Sequence, residues 1–480
     1  MFGNTGDMVL QFLIGIILAR LLTPADFGMV VSVQIFTGFM GMLLSGGMGQ
    51  SLIRAKHVGE EDFNTVFTIQ MSMGALIFLG FSVAAPWIAA YLEDPRYADL
   101  LRVSAFSFVL RPVALVRTAW LNRAMLFKKR AMVMLASSVV TGLSSIAMAV
   151  AGLGVWSLIL SGILGALATN ILLWFAIPLR VRFGFDEEAA QRHSSFGLKV
   201  TTNDFLSYLR DQSVNLILTK MAGPASVGLF NKGESLARLP NRVITPPTGQ
   251  AVFRALSKVQ DNLDQTKYMF YRTITLLMAY IAPALVTMWW VAEPLIEVLY
   301  GHQWIAAAEP MKILIMAALF RPIRTPSGVV LAAQNRLGRE TVALAISLFI
   351  TVAASLIGVR WGLAGVAWAV LGSGVFLSAY QYSLVYRILP TRLGDLALAV
   401  MPGMILSLLV GITLAALHYG LIAPLVSRAP LAYLLLMGGT GAVVFLLGLL
   451  FLPLAQLRTE SDRWRTAIRQ AWRVATGESA

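Results

Sequence analysis

Apolar segments of about 20 residues, the length a helix needs to cross a bilayer core about 30 Å thick, succeed one another along the whole chain. They run from LQFLIGIILARLL (10–22) to LAYLLLMGGTGAVVFLLGLLFLPL (431–454). In hydrocarbon every backbone N–H and C=O must find a partner within the chain, so spanning segments fold as helices or as a closed barrel. Barrel strands would be short and alternating, whereas these runs are long and continuous. Only 13% of the 480 residues are charged, against about 25% in soluble domains. An all-α polytopic membrane protein is therefore expected. Spans are placed at about 2–21, 27–50, 64–91, 98–121, 131–151, 155–179, 200–221, 227–252, 268–299, 303–333, 341–359, 363–386, 395–418 and 430–453, which makes 14. The opening segment lacks a basic n-region and an A-x-A-like cleavage site and reads as a retained first helix with a shortened start.

The formal net charge of +14 invites a nucleic-acid reading, but the positions of the charges argue against it. Of the 38 Lys and Arg residues, 23 fall in one alternate set of connections, and only 6 fall in the other. By the positive-inside rule the richer side is cytoplasmic, which puts both termini inside, as an even number of spans requires. In the tail QLRTESDRWRTAIRQAWRV (456–474), Trp464, Ile468 and Trp472 recur at helical spacing among Arg463, Arg465, Arg469 and Arg473. This is the pattern of an amphipathic helix on an anionic leaflet, with a solvated tail as the alternative.

The chain also repeats itself. GQSLIRA (49–55) recurs as GQAVFRA (249–255), and ILARLLTPADFG (17–28) lies over ILTKMAGPASVG (217–228) at the same offset of 200. Further along, LRP (110–112) answers FRP (320–322), and GLGVW (152–156) answers GLAGVAW (362–368). Landmarks in unbroken order over six spans read as a duplication. The expected domains are an N-lobe of spans 1–6 (1–180), a cytoplasmic linker (181–198), a C-lobe of spans 7–12 (199–390), two extra spans (391–454) and the tail (455–480). Equivalent helices run the same way, so the lobes would be related by a pseudo-two-fold axis along the membrane normal, the parallel-repeat arrangement of transporters with a site between lobes.

Nine basic residues belong to neither set of connections: Arg111, Arg117, Arg210, Lys232, Arg238, Arg242, Lys312, Arg321 and Arg324. A charge at bilayer depth is costly and faces a cavity or a partner. At helical spacing, Asn231, Glu234, Ser235, Arg238, Arg242 and Thr245 share one side of span 8. Asp204, Ser207, Tyr208, Asp211 and Asn215 do so in span 7. Arg321, Arg324 and Thr325 in span 10, and Arg111 and Thr118 in span 4, add to the set. The arginines are candidate ligands for an anionic substrate, because a planar guanidinium grips phosphate with paired hydrogen bonds. Internal pairing with Asp204, Asp211 and Glu234 is the competing explanation, and Lys312 is placed to snorkel. The same three acids are candidates for Na⁺ or H⁺ coupling. Arg54 and Arg254, the basic residues of the repeated heptapeptide, are read either as anchors or as a substrate-binding rim.

There is no G-x-x-x-x-G-K-[ST] loop, no H-E-x-x-H motif and no Cys/His cluster, so neither ATPase chemistry nor a metal or other cofactor is expected. The four His residues (57, 193, 302, 418) read as surface residues. Short outer connections, about ten residues at most (92–97 and 419–429), leave little room for the catalytic domain of a glycosyltransferase or polymerase, so no enzyme is expected.

IILARLLTPADFG (16–28), GQSLIRAKHVGEEDFNTVF (49–67), NRAMLFKKRAM (122–132), GLGVWSL (152–158), GLFNKGESLARLP (228–240), FRALSKVQDN (253–262) and EPLIEVLYGHQWIAAAEPMKIL (293–314) resemble the polysaccharide transporter family. The likeness is to its colanic-acid-exporter-like oligosaccharide flippases, within the multidrug/oligosaccharidyl-lipid/polysaccharide exporter superfamily. The resemblance covers residues 10–340 well and the last four spans by pattern. It implies a V-shaped pair of lobes around a cationic cavity. It also implies a flippase for undecaprenyl-pyrophosphate-linked oligosaccharide in exopolysaccharide, capsule or O-antigen biosynthesis, with membrane lipids, a polysaccharide polymerase and glycosyltransferases as partners. One departure is Val214, which stands where many members carry an acid just before the span 7 Asn. A multidrug or cation antiporter of the same superfamily is the alternative; its site should be acidic and aromatic, whereas the excess here is basic.

Overall fold

Continuous apolar runs become helices here with little help from local signals, because the backbone has no other way to satisfy itself in lipid. A computed structural model of the chain describes the backbone of residues 2–55, 57–179, 181–245, 262–334, 337–422 and 429–476, with side chains described except at 2–5, 195–204, 337, 393, 421–422 and 471–476. No strand occurs among the described residues. The helices are α1 (Phe2–Leu21), α2 (Pro24–Ser45), α3 (Met48–Arg54), α4 (Glu60–Tyr91), α5 (Arg96–Ala105), α6 (Ser107–Arg123), α7 (Phe127–Val150), α8 (Val155–Ala176) and α9 (Glu187–Ala237). They continue with α10 (Leu263–Trp290), α11 (Ala292–Tyr300), α12 (Ala308–Ala318), α13 (Arg321–Ala333), α14 (Leu337–Gly358), α15 (Gly362–Tyr386), α16 (Leu393–Leu417), α17 (Pro430–Phe451) and α18 (Arg458–Thr476).

Among the described residues, eight helical stretches are long and apolar enough to cross a membrane, and a ninth counts if the pair His302–Ala318 and Arg321–Ala333, bent by 45°, is taken as one. Residues 246–252 of the expected span 227–252 lie outside the described residues; elsewhere the gap from the 14 expected spans has physical causes. The expected span 98–121 is broken between α5 and α6, each too short alone, and α9 carries charge through its length. A single stretch, Gly338–Tyr386, covers two expected spans. Proline accounts for several irregularities, since it removes an N–H and crowds the preceding turn. Pro112 lies in α6, Pro322 opens α13, and Pro224 follows Gly223, whose positive φ of 78° interrupts α9.

The chain divides into two compact units, Met1–Leu229 and Phe230–Ala480. The division falls inside α9 rather than at the polar linker, and the reason lies in how the linker is held. In the first unit, the Arg182 N–H donates to Asn64 Oδ1 (2.8 Å), Gly184 N–H to Thr68 Oγ1 (3.0 Å) and Asp186 N–H to Thr65 Oγ1 (2.9 Å). Phe183 packs on Phe67 with ring centroids 5.3 Å apart. The linker is thus strapped along the first turns of α4. The start of α2 is fixed by a capping box: Asp26 N–H donates to Thr23 Oγ1 (3.2 Å) and Thr23 N–H to Asp26 Oδ2 (3.0 Å), an arrangement that satisfies otherwise orphaned helix donors. Its apolar core gathers Met29, Leu44, Phe81, Tyr97, Leu101 and Phe108 from α2, α4, α5 and α6.

In the second unit, α10 runs against α16 so closely that a Cβ on Gly403 would stand 2.6 Å from the Met278 backbone. Phe270, Ile274, Val330, Leu331 and Val385 form its main core. The tail helix α18 is tied down on one side. Trp464 Nε1 donates to the Tyr280 hydroxyl (2.9 Å), Ser461 Oγ to the Leu450 carbonyl (3.2 Å), and Glu460 lies 3.8 Å from the Arg272 guanidinium.

Candidate functional site

Two consecutive glycines with positive φ, Gly46 (45°) and Gly47 (65°), turn the chain sharply from α2 into α3, a conformation that costs glycine little. The turn brings Gln50 toward α6. Between α2, α3, α4 and α6 lies a cavity of about 460 Å³ whose polar wall consists of Ser45, Gln50, Gln70, Arg111, Thr118 and Asn122. Arg111 and Thr118 come from one side of α6, seven residues or about two turns apart. The Arg111 guanidinium is exposed to the cavity and lies 5.5 Å from the Phe108 ring centroid. It fits only because residue 41 has no side chain: a Cβ there would stand 1.9 Å from Arg111 Nη1. Gln70 is fully buried, and its Oε1 has no hydrogen-bond partner. A cation flanked by three amides and two hydroxyls can hold anionic oxygens and sugar hydroxyls at once.

The other basic candidates have different surroundings. Arg117 sits on another side of α6, 4% exposed, with its guanidinium 4.4 Å from the centroid of the Trp174 ring on α8. Arg210 is paired with Asp211 at 2.7 Å, and Arg238, just past the end of α9, with Glu234 four residues earlier. Two of the three acids expected to couple ions, Asp211 and Glu234, are therefore bound to neighbouring arginines. Arg242 is exposed, as is Arg54 at the end of α3, while Arg321 and Arg324 are half-buried on α13. Lys232 lies 4.9 Å from the Tyr300 ring and 5.6 Å from the Trp304 ring, and Lys312 lies 5.8 Å from Trp289. Arg254 and the Asp204 side chain lie outside the described residues.

Two polar clusters escaped the sequence reading. His193, expected at the surface, is fully buried. Its Nδ1 lies 2.7 Å from Ser51 Oγ and its Nε2 lies 2.9 Å from Asp62 Oδ1, with Arg192 also 3.7 Å from Asp62. The reason is the strap: it carries His193 back onto the α3 and α4 ends, where two buried polar groups need a partner. The second cluster is Glu340 of α14, which accepts from Gln381 Nε2 at 3.1 Å. The sequence placed Glu340 in a connection; the acid near the start of α14 and the amide within α15 are the only signals that pointed to it.

At the end of the expected span 200–221, Lys220 Nζ reaches Glu93, which lies in the connection after α4, and also donates to the Tyr91 carbonyl (2.7 Å). The Lys220 ammonium, hydrogen-bonded to it, holds the Glu93 carboxyl below its ordinary range. The Arg96 guanidinium does the same for Asp94, chiefly through its hydrogen bonds.

A family model described as "Polysaccharide biosynthesis protein" matches residues 17–309, more than half of the chain. The succinoglycan biosynthesis transport protein ExoT of Rhizobium meliloti (strain 1021) is 26% identical over 473 residues, 96% of this chain and 93% of its own length. The lipopolysaccharide biosynthesis protein WzxC of Escherichia coli (strain K12) is 22% identical over 348 residues, 71% of this chain and 70% of its own. Among solved structures, the lipid II flippase MurJ in an inward closed conformation has a TM-score of 0.76 at 13% identity, covering 97% of this chain and 99% of its own; that likeness is one of fold. The chain belongs to the polysaccharide biosynthesis protein family.

Proposed function

We propose that the chain is a flippase. It moves an oligosaccharide joined through pyrophosphate to undecaprenol from the cytoplasmic to the periplasmic leaflet of a bacterial inner membrane, by alternating access, for exopolysaccharide, capsule or O-antigen assembly. The observation that carries this reading is Arg111, held in a polar cavity of the first unit by the space left at Gly41, in a chain whose relatives are a transport protein and a lipopolysaccharide biosynthesis protein. The Arg111 guanidinium takes the pyrophosphate. The amides of Gln50, Gln70 and Asn122 and the Thr118 hydroxyl take sugar hydroxyls. Arg210, Arg238, Arg242, Arg321 and Arg324 offer further anion contacts, and Arg54 is a cytoplasmic contact for the headgroup.

No bond is made or broken in this transfer, so the chain needs no catalytic group. Energy comes from H⁺ or Na⁺: binding of the ion at Asp211 or Glu234 frees its paired arginine for the substrate, and Asp204 belongs to the same proposal. Glycosyltransferases supply the lipid-linked glycan, and a polymerase receives it. Both termini are cytoplasmic, in accordance with the distribution of Lys and Arg.

The test is complementation of a deletion strain with Arg111→Gln and Arg111→Lys, scoring surface polysaccharide at equal membrane protein. Arg111→Gln should abolish export and Arg111→Lys should retain part of it. Normal export by Arg111→Gln would overturn the reading.

A further inference from the structure

Arg117 has no place in the cavity just described. Six residues separate it from Arg111 on α6, which turns the two side chains about 120° apart. Its guanidinium is buried against α8, 4% exposed, and neither Nε nor Nη1 has a hydrogen-bond partner. Its contact with the face of Trp174 engages the delocalised charge and leaves those N–H groups unused. A buried, unsatisfied donor on a charged group is expensive.

The helices that hold it offer no anion. Between Asp99 and Asp186 the sequence contains neither Asp nor Glu, so α6, α7 and α8 are wholly without acids. They carry Arg123, Lys128, Lys129 and Arg130 instead, and Lys128 and Lys129 are exposed at the start of α7. The ends of the three helices are brought together there by Leu121, Val133, Leu173 and Ile177. Around Arg117 the surface is apolar and aromatic: Trp174 is 66% and Phe175 83% exposed. Tryptophan at such a position marks the level of the lipid headgroups.

We infer that Arg117 and Trp174 form a binding site for the phosphate of an anionic phospholipid from the surrounding bilayer, a phosphatidylglycerol-type headgroup. The indole covers the guanidinium when no lipid is seated. When it swings aside, a phosphate oxygen accepts from Nε or Nη1, and the exposed lysines of α7 complement the remaining charge. Placement of the site away from Arg111 makes bulk lipid, rather than the lipid-linked glycan, its occupant. The inference does not depend on what the cavity carries.

The experiment uses the full-length protein in detergent with dioleoylphosphatidylglycerol or dioleoylphosphatidylcholine, read by native mass spectrometry for retained lipid and by thermal unfolding. Wild type and Arg111→Gln should retain phosphatidylglycerol selectively and melt higher in it. Arg117→Gln should bind it about tenfold more weakly, and Arg117→Lys should fall between. Equal retention of the two lipids by wild type, or undiminished retention by Arg117→Gln, overturns the site. Should Arg117→Gln fail to fold, Trp174→Ala on the same lipids decides: selective retention that is kept or raised supports the site, and its loss overturns it. Undecaprenyl phosphate competing phosphatidylglycerol off wild type at equimolar concentration would overturn the assignment to bulk lipid.

Discussion

Gly28 rests on the carbonyl of Pro224: a Cβ at position 28 would stand 1.6 Å from that oxygen. The reverse relation holds as well, since a Cβ on Gly228 would stand 2.0 Å from the Pro24 carbonyl oxygen. Residues 24 and 28 correspond to 224 and 228 in the internal repeat, so the two copies of the motif meet each other inside the first unit. Nearby, Ser32 and Thr219 hydroxyls hydrogen-bond at 2.8 Å. Glycine at these positions allows backbones to approach in a way that any larger residue prevents.

Gly28→Ala should therefore destabilise the protein by about 1–3 kcal/mol or more, the range for overpacking against atoms that cannot yield. Gly162→Ala, where a Cβ would meet nothing within 4 Å, is the matched control. Thermal unfolding in detergent should separate the two variants; an equal melting temperature would show that the contact yields easily.

Gly41→Ala acts on a different target. The atom it displaces is the end of a flexible arginine, so stability should hardly change while Arg111 is pushed out of position. Surface polysaccharide should fall sharply at unchanged protein level. Export equal to wild type would mean that Arg111 works equally well from another rotamer.

His193→Ala should cost about 1–3 kcal/mol, the penalty for stranding buried polar partners, here Ser51 and Asp62. The strap should also come loose. Limited proteolysis within 181–193 should accelerate, and Arg192→Ala, which removes a longer and more exposed contact, should have much less effect.

The Glu93–Lys220 pair gives a pH signature. Lys220 lowers the folded-state value of the Glu93 carboxyl beneath its ordinary 4.5. A depressed folded value means that the pair contributes stability above the unfolded value and loses it as pH falls through the folded one. Melting temperature plotted against pH should drop less steeply below pH 4.5 in Glu93→Gln than in wild type. Identical acid limbs would show that the exposed pair contributes nothing, as many surface pairs do.

Most of the helical framework was readable because apolar length alone specifies a span. Two breaks were not: spans 98–121 and 303–333 were expected to be continuous, yet the first divides between Ala105 and Ser107 and the second is bent by 45° between Ala318 and Arg321. What the sequence concealed were the partners of polar side chains. Arg117 was counted with Arg111 on the strength of shared depth, although a spacing of six residues already set them on different sides of α6. His193 looked like a surface residue because its partners, Ser51 and Asp62, are 142 and 131 residues away, a distance that no local pattern spans. Asp211 and Glu234 could be read either as couplers or as counter-ions; the pairing with Arg210 and Arg238 is local, and spacing alone could not choose between the two.

The strap along α4 has one more consequence. Its grip comes from main-chain N–H groups at 182, 184 and 186, which every residue except proline carries, and the acceptors belong to Asn64, Thr65 and Thr68. The identity of the tether is thus written in the helix it lies on. Most of its own side chains are free to drift among descendants of this sequence, whereas the three α4 positions are not, and a proline entering at 182, 184 or 186 would undo the attachment one rung at a time.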